Sequence, residues 1–316
     1  MNYEIKKDIK MASRKAFGQA LVSLGETFDK IVVLDADLSK STMSYDFSKK
    51  YPQRFFQMGI AEANMLGVAS GLALSGYIPF ACSFACFITG RFDQIKMSVA
   101  YSGAHVRIVG THCGIGIGED GYSQQGLEDI ALMRSLPTME VFQPSDDIET
   151  HKIMQYLCTS RTPAYLRLTR QDLVRVHDES YRFKPGQFSQ LRAGNDISIF
   201  ASGGTLFNAL DAADQLAKNG IKARVYNASS IKPVDHKAIF EAANQTKMLF
   251  SIEDHNIIGG LGGAIAESLS SMGTPTKLIR LGIQDEFGES GTPESLYEKH
   301  GLSSGQLYKA IFGKLH

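Results

Sequence analysis

Between Phe55 and Gly90 the chain reads FFQMGIAEANMLGVASGLALSGYIPFACSFACFITG, and Glu62 is the only charged residue in that stretch. It sits among small residues that let helices and strands approach closely, so its carboxylate is expected to be buried. A buried carboxylate is costly unless it finds a donor, a neutralising proton or a bound ligand, which makes it a candidate for handling a proton. A Glu near a helix N-terminus, stabilised by backbone N–H groups and the helix dipole, is the plainer alternative.

A second group of residues falls at the ends of apolar runs. Asp37 and Ser41 follow IVVLDAD, Phe84 and Phe87 close YIPFACSF and its sequel, His112 ends VRIVGTH, and Arg167 and Arg170 end AYLRLTR. Asp120 lies in the loop GIGIGEDGYSQQG, whose glycines allow the backbone to approach a ligand. Taken singly, each reads as a solvated loop residue. Their common placement is the informative feature, because doubly wound sheets bind ligands outside the carboxyl ends of their strands. Two arginines and a histidine there suit a phosphate, since Arg makes forked, charge-assisted hydrogen bonds to such oxygens. Cys113 follows His112, but adjacent residues seldom face each other productively, so no Cys-His nucleophile is expected. Cys82, Cys86, Cys113 and Cys158 are too few for a disulfide framework and lack zinc-ligand spacing, so they are read as reduced and no metal site is assigned.

The elements that would position these residues follow from the alternation of short β-rich runs with helical stretches such as ASRKAFGQALVSLGETF, the pattern of parallel sheets flanked by helices. After Arg170 the text turns polar and irregular, and a second alternation begins at ISIFASG. The expected fold is α/β with two domains, residues 1–185 and 192–316, each a mostly parallel sheet with helices on its faces. The Gly-rich IGGLGGAIAES lacks G-x-G-x-x-G spacing and is read as glycines opening a closely packed helix, not as a dinucleotide site. With 33 Lys+Arg against 33 Asp+Glu, no global field favours nucleic acid or an anionic membrane. The first residues carry no apolar run behind their basic ones, so neither a signal nor an anchor is expected, and a cytoplasmic location follows by default.

The stretches GIAEANMLGVASGLA, PFACSFACFITGRFDQIKMS and THCGIGIGEDGYSQQGLEDIALMRSLPTMEVFQPSD closely resemble the pyrimidine-binding domain of transketolase. LDADLSKST near the start, and KPVDHKAIFEAA, EDHNIIGGLGGAIAE and DEFGESGTPESL further on, extend the similarity over essentially the whole chain. The resemblance implies a thiamine diphosphate enzyme of pentose phosphate metabolism that transfers a two-carbon ketol unit. It implies that Glu62 hydrogen-bonds a pyrimidine ring nitrogen and favours the imino tautomer needed for proton removal. Phe84 and Phe87 correspond to aromatics around the aminopyrimidine, and Asp37 to an aspartate close to the cofactor. Arg14, Ser41, His112 and Arg170 correspond to residues holding the substrate phosphate. Asp120 corresponds to an aspartate reading a substrate hydroxyl, and Gln124 falls where many members have His. Ala63, Gly90, Tyr122 and Gln124 depart from the common pattern, which leaves the choice of ketose and aldose open.

The Gly-Asp-Gly and Asn pattern that holds the diphosphate and its Mg2+ or other divalent metal is not found in the sequence. The expected partner is therefore a separate N-terminal transketolase subunit carrying that domain, in an α2β2 assembly, with sugar phosphates as substrates and no nucleic acid or membrane. Other readings are the beta-type chain of a 2-oxo acid dehydrogenase, whose pocket would not need Arg14, His112 and Arg170 together, and 1-deoxyxylulose-5-phosphate synthase, which lacks THCG before its loop. A non-catalytic partner subunit is opposed by the intact Glu62, Phe84, His112, Asp120 and Arg170.

Overall fold

The strands expected from the apolar runs lie in two mostly parallel sheets, and two segments that no apolar run marked make an antiparallel ribbon. The computed structural model describes residues 3–315; Met1, Asn2 and His316, the outermost residues of the two expected domains, lie outside that range. Strands β1 (Tyr3–Ala12), β2 (Ile31–Asp35), β3 (Phe55–Gln57), β4 (Ile78–Phe84), β5 (Arg107–Thr111), β6 (Glu140–Phe142), β7 (Ala164–Arg167) and β8 (Asp172–His177) come first. They are followed by β9 (Ser189–Arg192), β10 (Ile197–Ala201), β11 (Ala223–Asn227), β12 (Ser230–Lys232), β13 (Met248–Asn256) and β14 (Lys277–Ile283). β1 and β8 make the ribbon. The first sheet has the order β12-β6-β7-β5-β4-β2-β3 and the second β14-β13-β10-β11-β9.

Every residue of β2, β5 and β7 is buried, as befits parallel strands covered on both faces. Alternate residues serve different layers. Val33, Phe80, Val109 and Leu166 join Phe17, Leu21 and Met154 from the helices Ser13–Thr27 and Asp147–Thr159. Leu34, Ala81, Ile108 and Tyr165 join Leu66, Ile130 and Met133 on the opposite face, in a core that continues to Phe200, Tyr226 and Leu249 of the second sheet and to Ile265 of the helix Leu261–Met272 that covers it. The two halves therefore share apolar packing. They also share a sheet, because β12, from the later part of the chain, crosses over to pair antiparallel with β6. The run ARVYNASSIKP is thus split between two sheets, β11 in the second and β12 in the first.

The helix opened by IGGLGGAIAES, Leu261–Met272, has its first N–H groups taken by protein. The Glu253 carboxylate accepts from Leu261 N at 2.6 Å and Gly262 N at 2.9 Å, filling the anion position that a cofactor phosphate would otherwise use. Burial raises the Glu253 pKa to about 7.

Candidate functional site

Glu62 is the first residue of the helix Glu62–Leu74 and is 4% exposed. The position satisfies both sequence readings: its carboxylate lies at a helix N-terminus, and it is buried. Its hydrogen-bond donor is the Ser83 hydroxyl, 3.2 Å from Oε1, on the buried end of β4. One residue on, Phe84 stacks on His112 with ring centroids 3.7 Å apart and on Phe87 with centroids 5.5 Å apart. Phe84 is buried with a face covered by His112, whereas Phe87 is half-buried, so the aromatic surface left open beside Glu62 belongs mainly to Phe87.

His112 follows β5 with φ of 58°, and Asp37 follows β2 with φ of 66°. Left-handed backbone at non-glycine residues is uncommon and concentrates where a fold aims a side chain for use. The His112 Nε2 faces Arg14 Nη1 at 3.4 Å. Arg can only donate, so Nε2 accepts and the ring proton resides on Nδ1, donating to Thr111 Oγ1 at 2.8 Å. Thr111 in turn donates to the Ser83 carbonyl at 3.4 Å. One bonded chain thus runs from Arg14 to the strand residue that holds Glu62. Burial, then the charges of Arg14 and Arg170, lower the His112 pKa to about 3, so the ring is neutral at physiological pH.

Arg14, in the first turn of the helix Ser13–Thr27, donates to the Ser41 carbonyl at 2.6 Å, so Ser41 joins the cluster through its backbone. The Arg14 Nε is buried without a partner among the described residues. Burial and then the nearby Arg170 lower the Arg14 pKa, while Asp172 and Asp120 oppose them. Arg170 donates to the Ile117 carbonyl at 2.5 Å and lies 3.3 Å from the Glu119 carboxylate, which is exposed. Two cations and a neutral imidazole with an unpaired guanidinium N–H have the chemistry to receive an anion. Asp120 is exposed on the same loop, and Gln124 ends a short turn, Tyr122–Gln124, with its backbone N–H on the Gly121 carbonyl. Asp37 is exposed on the β2 side, its backbone N–H held by Gln57 at 2.7 Å.

Arg167 corrects the sequence reading. It does not face the anion site: it is fully buried and forms a two-pronged pair with Asp129, at 2.7 and 3.1 Å, besides donating to the Gly126 and Asp254 carbonyls. Arg167 outweighs the burial that raises Asp129, and the carboxyl stays below its ordinary range. Arg167 still belongs to β7, whereas Arg170 has passed the strand end and reaches the loop. Sequence reasoning also passed over Asp35. Its buried carboxylate accepts from Leu38 N at 2.6 Å, Thr42 Oγ1 at 2.7 Å and Ser44 Oγ at 3.0 Å, fixing the segment that carries Asp37 and Ser41. Burial raises its pKa. The signal was available: a charged residue as the last member of an otherwise apolar strand.

Residues 9–175 match the family described as "Transketolase, pyrimidine binding domain", and residues 186–307 match "Transketolase, C-terminal domain". A protein of Methanocaldococcus jannaschii named "Putative transketolase C-terminal section" is 42% identical over 305 residues, 96% of each chain. The 6-deoxy-6-sulfo-D-fructose transketolase subunit SqwH of Clostridium sp. (strain MSTE9) is 39% identical, over 94% of this chain and 92% of that one. Human transketolase is 37% identical over 96% of this chain, which spans 49% of the human protein. Among solved structures, "Split gene transketolase, inactive beta4 tetramer" superposes with a TM-score of 0.89 at 45% identity, covering 96% of this chain and 98% of the other.

Proposed function

The chain belongs to the transketolase family, and we propose that it serves as the C-terminal subunit of a two-chain transketolase, moving a two-carbon ketol unit from a ketose phosphate to an aldose phosphate. The observation that carries the two-chain reading is an exposed apolar face beside Glu62. The helix Glu62–Leu74 bears apolar residues on every side, as buried helices do, yet Val68 and Leu74 reach solvent. Next to it Ile60 is 84% exposed, and on the helix Ile95–Tyr101 that packs against it Met97 and Tyr101 are also exposed. Such a face, contiguous with a buried carboxylate, suits coverage by another polypeptide. The relatives named as C-terminal section, subunit and split-gene product, each covered over nearly its whole length, support the same arrangement.

The residues fit half of a thiamine diphosphate site. Glu62 would hold a pyrimidine ring nitrogen, Phe87 with Phe84 behind it would line the ring, and Asp37 would lie near the cofactor. When bound, the cofactor supplies the nucleophilic carbon that takes up the two-carbon unit. The Gly-Asp-Gly and Asn pattern is not found in the sequence, and on this reading Mg2+ or another divalent ion and the diphosphate would be held by the N-terminal partner, in an α2β2 complex. Arg14, Ser41, His112 and Arg170 would bind the sugar phosphate, with Asp120 and Gln124 contacting its hydroxyls. The unpaired cysteines accord with a cytoplasmic setting, and no described helix is long and apolar enough to cross a membrane.

The test is Glu62→Ala in the complex reconstituted with the partner. Loss of a group that controls a proton typically costs about 10²- to 10⁴-fold, and a loss of that size with assembly intact is expected. Retention of more than half the activity at saturating cofactor would remove Glu62 from the mechanism.

A further inference from the structure

The loop from Gly114 to Gln125 carries Asp120 and Gln124 but makes little structure of its own. It is closed at its base by the Gly114 N–H on the Gly126 carbonyl, 2.9 Å, and braced within the first domain by Arg170 on the Ile117 carbonyl. Further supports come from the second domain. At the entry, the buried Asp254 carboxylate accepts from Ile115 N at 2.8 Å and Gly116 N at 3.4 Å, and is itself held by the Tyr297 hydroxyl at 2.8 Å. At the exit, the segment Phe287–Pro293 lies along the loop. Gln125 Nε2 donates to the Glu289 carbonyl at 3.0 Å, and the Tyr122 and Phe287 rings meet with centroids 4.4 Å apart.

The approach is close enough that a side chain at either glycine would displace its neighbour. Gly121, with φ of 76°, leaves room for Ser290, whose Oγ would stand 2.5 Å from a Cβ there. A Cβ on Gly288 would overlap Gln125 Oε1, an atom buried without a partner among the described residues. A buried acceptor left unbonded is a cost that the Glu289 contact on the same amide offsets only in part.

We propose that the second domain is a clamp that sets the position of the substrate loop, with Gln125 and Gly288 as positioning residues for Asp120 and Gln124. On this account the second domain takes part in choosing the aldose, although it contributes no group to the reacting atoms. The proposal rests on the transketolase reading above for its substrate, while the clamp is also open to measurement without turnover.

Gly288→Ala, Gln125→Ala and the double variant test it in the complex reconstituted with the partner. Hydrogen exchange of residues 115–125 should speed up in Gly288→Ala by about fivefold or more, because the added methyl pushes Gln125 off the clamp. KM for a phosphorylated aldose should rise about tenfold with kcat held within about twofold, and kcat/KM for glycolaldehyde, which lacks the phosphate and the remaining hydroxyls of the sugar, should change less than about twofold. In the Gln125→Ala background, where the colliding side chain is absent, Gly288→Ala should add almost nothing, as contacting residues couple in a double-mutant cycle. Unchanged loop exchange in Gly288→Ala, additive effects in the double variant, or equal losses on both acceptors would each overturn the clamp. If no ketol transfer is seen with any acceptor, the transketolase reading fails, and the exchange measurement alone decides the clamp.

Discussion

His112 is held neutral while the two arginines beside it carry charge, and this division of labour has measurable consequences. With its pKa lowered to about 3, the imidazole should show no titration between pH 5 and 8 when its ring protons are followed by NMR in the free chain. A transition near 6.5 would mean that the ring is not buried beside Arg14 and Arg170 as described. The same shift acts on stability. The unfolded imidazole protonates near about 6.5 and the folded one only near 3, so this contribution is present above pH 6.5 and lost as pH falls towards 3. Arg170 has the complementary role. Replacing it by Ala should lower kcat/KM for a phosphorylated aldose by about 10- to 150-fold, the worth of one hydrogen bond to a charged group, with little change for glycolaldehyde. Equal losses on the two acceptors would place Arg170 in the framework. At this scale the sequence was legible where a residue stands beyond a strand end, as with His112 and Arg170. It misled at Arg167, where strand parity puts Tyr165 and Arg167 on one face and both reach Asp129. Only the position of a helix distant in sequence decides whether that face meets solvent or a carboxylate.

Elements carry the next level of the account. The strands were readable because parallel interior strands are written as continuous apolar runs, and β2, β4, β5 and β7 lie where such runs occur. The segment that forms the helix Glu62–Leu74 was readable as nearly uncharged, and the structure leaves one side of that helix open. On the proposed reading this open side is where the partner packs. Val68→Glu on this side should leave the stability of the lone chain within about 0.5 kcal/mol, as surface substitutions do, and should abolish association with the partner by analytical ultracentrifugation. Normal assembly of the variant would move the interface elsewhere. The Asp129–Arg167 pair behaves oppositely. Asp129→Ala strands a buried guanidinium and should cost about 3–5 kcal/mol in urea unfolding, whatever the partner does. A cost below about 1 kcal/mol would show that the pair is not buried as described.

At the scale of the molecule, the two halves were legible as two alternations separated by a polar stretch, but their union was not. The crossing of β12 to the first sheet, the Asp254 hold on the 114–125 loop and the shared core from Leu34 to Ile265 all join residues far apart in sequence. No local periodicity records such pairings. The result is a scaffold that holds a buried carboxylate, stacked aromatic rings and a cluster of two arginines with a neutral histidine at the strand ends of the first sheet. On the proposed reading these residues serve the pyrimidine and the substrate, and the diphosphate and metal fall to another chain. Isothermal titration with thiamine diphosphate and Mg2+ tests this most directly, performed on the lone chain and again after addition of the N-terminal partner. No submicromolar binding and no ketol transfer by the lone chain, with both appearing on mixing, is the predicted result; submicromolar binding with turnover by the lone chain would contradict it.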